Sequence, residues 1–191
     1  MLAIMRGQAY FHAMNQRISL ALLVALAAPA LAFGATQPKP LGVFQKWTAA
    51  TYGTGASEAC YAFTTAPAAK GSKAAPAMLT VTERAGDPDE ISVSQGVNYA
   101  KDAKPTVKVG GQTLPFFTKG DTAYALHGNA TTKAFLGGSN AIATSPTPDG
   151  KTVTDTFSLT GFSDAYKAIQ KACPQAKATK ASSSKKSSKK K

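Results

Sequence analysis

The side chains that could do chemistry in this chain are few and widely spaced. Its 191 residues include two cysteines, Cys60 and Cys173, and two histidines, of which only His127 lies beyond the N-terminal segment. No Gly-x-Ser-x-Gly motif is present that would place a nucleophilic serine on a sharp turn. Two cysteines and one histidine also fall short of the four ligands of a structural zinc site. The sequence therefore predicts no catalytic residue, no metal and no cofactor.

Two groups of acidic residues could bind a ligand or a metal ion: a cluster in the segment 87–90 and the single residue Asp155. Asp87, Asp89 and Glu90 are close in sequence, but a calcium loop supplies six or more oxygens at fixed spacing. We expect the segment 87–89 to form a turn around its proline instead. Asp155 shares a strand face with apolar residues, and we expect it at the rim of the sheet, hydrogen bonded to a turn.

The aromatic residues admit two interpretations. They could line a ligand pocket or form a platform for a sugar, but they are scattered over separate strands, and a β-sandwich core needs about that many large side chains. We therefore expect most of them in the core. The set is Trp47, Tyr61, Phe63, Phe116, Phe117, Tyr124 and Phe157.

The elements that would position these residues are mostly strands. Apolar and polar residues alternate over 91–97 and 153–160, which is the pattern of half-buried strands. Gly110-Gly111 joins two such runs as a hairpin turn. A helix is predicted from Phe162 to Cys173, with Ser163 as its N-cap and Pro174 ending it, and a second, short helix over 131–136.

The pattern as a whole is that of a mainly β (α+β) domain. We expect an antiparallel β-sandwich or flattened barrel of about seven to nine strands with a C-terminal helix.

The N-terminal segment has the layout of a secretory signal peptide. An apolar run over 18–32 follows Arg17 and ends in Ala30-Leu31-Ala32. A retained membrane anchor is the alternative, but a spanning helix needs about 20 apolar residues and Pro29 interrupts this run. Residues 1–32 are therefore predicted to be cleaved, with Met14 as an alternative start. The mature chain would be periplasmic, on the outer surface or secreted.

Export changes the expected chemistry of the cysteines. In an oxidising compartment an even pair usually forms a disulfide, so we expect Cys60 and Cys173 to tie the C-terminal helix to an early strand. Two buried free thiols remain the alternative.

The chain carries a formal net charge of +12, and much of it lies in the segment Lys177–Lys191. This Lys/Ser-rich segment has too few apolar residues to form a core, so we expect it to be disordered. It would follow a lead-in over 33–42 and a single domain over 43–176. No nucleic-acid partner is expected outside the cytosol. The candidate residues for attachment to lipopolysaccharide, acidic lipid or a host surface are Lys180, Lys185, Lys186, Lys189, Lys190 and Lys191. A solubilising appendage without a partner is the alternative.

Several stretches together resemble the invasion-associated locus B family of small exported proteins of Gram-negative bacteria. The likeness covers about residues 43–174. It is carried by the segment 155–166 with Ile169, Cys173 and Pro174 after it, by Trp47, by Cys60-Tyr61, by the pair of strands over 82–97, and by 107–112 leading to 116–121. The resemblance implies a β-rich fold and supplies no catalytic residues.

The resemblance implies a non-enzymatic periplasmic or surface-associated protein that binds an envelope or host component. The alternatives are a periplasmic small-ligand-binding or envelope housekeeping protein and an uncharacterised hydrolase.

Overall fold

The structure is a computed structural model that describes residues 37–67 and 75–175. The predicted signal peptide and the lysines of the C-terminal segment lie outside these residues. The strands are β1 (Lys39–Phe44), β2 (Trp47–Tyr52), β3 (Ala59–Thr65), β4 (Met78–Arg84), β5 (Asp87–Ser94), β6 (Thr106–Val109), β7 (Gln112–Lys119), β8 (Thr122–Ala125), β9 (Asn140–Pro146) and β10 (Thr152–Ser158). The helices are α1 (Gly128–Leu136) and α2 (Phe162–Ala172), with one further helical turn at Gly55–Ser57.

The ten described strands form one antiparallel sheet that does not close into a barrel. Their order is β1-β2-β3-β4-β5-β8-β7-β6-β9-β10. The first five follow one another as a meander, and the hairpin of β6 and β7 then joins through β8 on one side and β9 on the other. The predicted mainly β fold with a C-terminal helix is confirmed.

The strand that the sequence pattern missed is β1, which begins inside the predicted lead-in. Pro40 lacks an N–H for the ladder and Gly42 has no side chain to pack, so neither residue favours a central strand. An edge strand tolerates both, and the register of β1 against β2 shifts between these two residues. This tertiary pairing brings the number of strands to ten.

The core lies on one face of the sheet, where α2 packs on β1 to β4 and α1 packs on β5. The ring of Phe162 in α2 packs 4.8 Å from Trp47 of β2 and 5.6 Å from Phe135 of α1, measured between centroids. Trp47 also donates from Nε1 to the carbonyl of Ser158 at 3.0 Å, so its polar atom is satisfied although the residue is fully buried. These contacts join the first strands, the last strand and both helices.

Helix α2 begins earlier than its predicted N-cap, Ser163. The N-cap is Gly161, whose φ of 92° suits glycine. A Cβ at this position would collide with the backbone of Phe44, so only glycine permits this approach. The helix ends at Ala172, before Pro174, as predicted.

Neither described helix is long and apolar enough to cross a membrane.

Candidate functional site

The two cysteines are joined. Cys60 in β3 and Cys173 at the end of α2 form a disulfide with their Cα atoms 5.8 Å apart and 113 residues between them in sequence. Cys60 is fully buried. The predicted link between the C-terminal helix and an early strand is confirmed.

Beside the disulfide lies a buried carboxylate, Glu83. It stands opposite Cys60 in the register of β3 and β4 and is 1% exposed. Its Oε2 accepts from Nε2 of Gln175 at 2.9 Å, and its Oε1 accepts from the backbone N–H of Asp89 at 3.3 Å. Burial raises the pKa of Glu83, and the neighbouring charge of Asp89 raises it further.

Asp89 is the second buried carboxylate and joins three elements. Its Oδ1 accepts from the hydroxyls of Tyr166 in α2 at 2.6 Å and Thr132 in α1 at 2.8 Å, and its Oδ2 accepts from Asn129 at 3.3 Å. Burial and the hydrogen bond to Asp89 raise the pKa of Tyr166, which therefore stays a donor.

The predicted turn at 87–89 is wrong. Gly86, with φ of 82°, makes the turn earlier, and residues 87–89 belong to β5. The physical reason is that Asp89 is drawn into the interior by its donors from α1 and α2.

The carboxylate pair Glu83 and Asp89 is sealed from solvent, so it is suited to holding elements together rather than to meeting a substrate. Within the described ranges, no group of three His, Cys, Asp or Glu side chains is placed to hold a metal ion. His127 is exposed at the N-cap of α1, where its carbonyl accepts the N–H and the hydroxyl of Thr131. No local sequence pattern indicated that Glu83 and Asp89 would be buried, because most of their hydrogen-bond donors are distant in the chain.

Asp155 has a side-chain partner rather than a turn. Its Oδ2 accepts from Nε2 of Gln95 at 2.7 Å, and Oε1 of Gln95 accepts from the hydroxyl of Ser145. Gln95 is 4% exposed and follows β5, so it reaches β9 and β10 across the interior. Nearby, the Tyr99 hydroxyl donates to the Val93 carbonyl at 3.1 Å, and burial raises its pKa to about 12.

The aromatic residues divide between the two faces of the sheet. Trp47, Phe116 and Phe157 lie in the core, as predicted. The prediction is wrong for Tyr61, Phe63, Phe117 and Tyr124, which are only partly buried or exposed. Side chains alternate along a strand, so Cys60 and Ala62 facing inward in β3 turn its two aromatic residues outward.

Three of the outward-facing aromatic residues, Phe63, Tyr124 and Phe117, belong to one row across seven strands, here called the outer row. Each member is paired in register with the next: Val43, Thr48, Phe63, Thr80, Ser92, Tyr124 and Phe117. The two ends are the most open, with Val43 74% and Phe117 45% exposed.

The aromatic side chains of the outer row form two stacked pairs. The rings of Phe117 and Tyr124 lie 5.8 Å apart, and Phe63 stacks at 6.2 Å on Tyr61, which faces outward beside the row. Next to Phe117 is an open groove of about 840 Å³ that is also lined by Pro105, Pro115 and Leu126.

Fold and site together define a small β domain, closed by one disulfide, with an aromatic outer face and no assembled catalytic group in its described part. Residues 47–170 match the invasion associated locus B (IalB) protein family. This match spans more than half of the chain, which therefore belongs to the IalB family. The family is not a known enzyme family, and its members are in general secreted or periplasmic.

A solved structure supports the fold. The crystal structure of invasion associated protein B from Bartonella henselae is similar with a TM-score of 0.53 at 10% sequence identity. The similarity covers 69% of this chain and 96% of that one. No curated protein matches the sequence.

Proposed function

We propose that this chain is an exported, non-enzymatic protein of the periplasm or cell surface that binds an envelope or host component. The observation that carries the proposal is the outer row. Both described helices pack on the opposite face, α2 through Phe162 against Trp47 and α1 through Asp89, so no described element covers these aromatic side chains. The buried carboxylates, by contrast, are occupied by structural hydrogen bonds.

A second candidate is the binding of a small ligand in the groove beside Phe117. Its volume of about 840 Å³ lies in the range of small-molecule sites, and its lining is mostly apolar. Under this alternative the chain would be a periplasmic ligand-binding or housekeeping protein.

Proximity labelling in intact cells tests the main proposal. A labelling enzyme that is active after export would be fused to the full-length chain, and we expect the labelled proteins to be envelope or surface components. A chain that keeps its N-terminal segment and labels only cytosolic proteins would contradict export.

We further propose that the basic C-terminal segment attaches the domain to an anionic surface. The support is its charge: seven lysines lie between Lys177 and Lys191. Near an anionic lipid surface each lysine contributes roughly 1 kcal/mol, and salt screens this attraction. The residues concerned are Lys180, Lys185, Lys186, Lys189, Lys190 and Lys191.

The attachment is tested by co-sedimentation with phosphatidylglycerol vesicles at low salt. The mature chain should bind and be released by salt, whereas a chain ending at Gln175 should bind far more weakly. Phosphatidylcholine vesicles are the uncharged control. Equal binding of the two chains would sink the proposal.

A further inference from the structure

We propose that the outer row binds an extended chain of uncharged pyranose sugars. The inference rests on the proposed function and deepens it by naming the chemical class of the partner. The row offers aromatic rings at two places and hydroxyl side chains between them, and both kinds of group suit a sugar.

The aromatic pairs supply apolar contact. A pyranose ring has a face of C–H groups, and such a face packs on the flat, electron-rich surface of an aromatic ring. Phe117 with Tyr124 forms one such platform and Phe63 with Tyr61 the other. Phe117 is 45% exposed, so part of its ring is open to a ligand.

The residues between the platforms supply hydrogen bonds. Thr80 and Ser92 separate Phe63 from Tyr124 in the register of neighbouring strands. Each hydroxyl can donate and accept, and so can each hydroxyl of a sugar. Three strand spacings lie between Phe63 and Tyr124, which is about 14 Å along the sheet. A ligand that touches both platforms must therefore be longer than one ring.

The lack of charged side chains within the outer row favours an uncharged partner. No member of the outer row is charged. Beside the row on this face, Glu90 is paired with Arg84 at 2.9 Å, and Lys119 follows Phe117 by two residues along β7. An acidic or basic polymer would have to lose water from its charges without gaining a counter-charge from the row. An uncharged glycan pays no such penalty.

The test is calorimetric titration of the mature protein with chitohexaose and with cellohexaose, two uncharged linear sugars. We expect Phe117→Ser and Phe63→Ser each to weaken binding about tenfold or more, as truncation of a central aromatic contact does. The matched control is Ile142→Ser, which removes an apolar side chain that is 39% exposed on β9, outside the row. Its affinity should equal that of the wild type.

Each other outcome overturns the inference. The inference fails if the wild type binds neither sugar. It also fails if Ile142→Ser weakens binding as much as Phe117→Ser and Phe63→Ser do. Loss with Phe117→Ser and with Leu126→Ser, a second residue that lines the groove, while Phe63→Ser binds as the wild type does, would assign binding to the groove. A dimer in light scattering that Phe117→Ser dissociates would assign the row to a second copy.

Thermal denaturation of each variant separates loss of binding from loss of fold. If labelling places the protein in the envelope while neither sugar binds, the inference fails and the proposed function stands.

Discussion

At the scale of single residues, Glu83 makes the stability of the fold depend on pH. Its pKa is raised from 4.5 by burial and by Asp89. A raised pKa in the folded state means that the native chain binds the proton more tightly than the unfolded chain does. The resulting stabilisation is full below pH 4.5 and is lost as the pH rises through the folded-state pKa.

We predict that Glu83→Gln removes this dependence. The unfolding free energy of the wild type relative to the variant should be most favourable below pH 4.5 and should fall toward neutral pH. The glutamine keeps an acceptor for Asp89 N–H. Turning the Gln175 amide to present its oxygen would break its bond to the Arg84 carbonyl, a loss that does not vary with pH. Urea denaturation below pH 4.5 and at neutral pH measures the difference, with Glu58→Gln, at a partly exposed carboxylate outside the buried pair, as the control for lost charge. A constant difference would refute the prediction.

At the scale of elements, the packing of α1 on β5 depends on Gly128. A Cβ at this position would collide with the carbonyl oxygen of Asp89, whereas at Gly137, just past the other end of the helix, it would meet only ordinary contacts at 3.8 Å or more. Neither glycine has a positive φ, so the two positions differ in space rather than in backbone strain.

We predict that Gly128→Ala lowers the unfolding free energy by about 1–3 kcal/mol, the usual cost of overpacking. Gly137→Ala should change it by about 0.5 kcal/mol or less. Chemical denaturation of both variants measures the contrast. If the two variants were equally stable, α1 would not be held against Asp89 as described.

At the scale of the whole molecule, the disulfide joins parts of the chain that are 113 residues apart. A link that closes so long a loop restricts the unfolded chain, and in the chain-entropy model it contributes about 4–5 kcal/mol.

We therefore predict that the double variant Cys60→Ala, Cys173→Ala unfolds at a much lower urea concentration than the oxidised wild type. The reduced wild type is the control, because it keeps both sulfur atoms in place. Similar midpoints for oxidised and reduced protein would show that the link does not stabilise the fold.

Local patterns predicted the elements whose residues carry their own signals. The alternation around Ile91 and Phe157 and the helical spacing from Phe162 depend only on neighbours in sequence, and the corresponding strands and helix are present. Strand β1 could not be predicted in this way, because Pro40 and Gly42 oppose strand formation until β2 provides a partner. The carboxylate pair was missed for the same reason, since the side-chain donors to Asp89 come from α1 and α2 and the side-chain donor to Glu83 is Gln175.

The sequence by itself determined that this is a mainly β domain with a C-terminal helix, because periodicity and turn residues act locally. It also favoured a disulfide between its two cysteines over two free thiols, which the structure then confirmed. Only the tertiary structure decided which face of each strand meets the core. A shift of one residue in a strand exchanges its faces, so Trp47 is buried while Phe63 and Phe117 are left on the outer row.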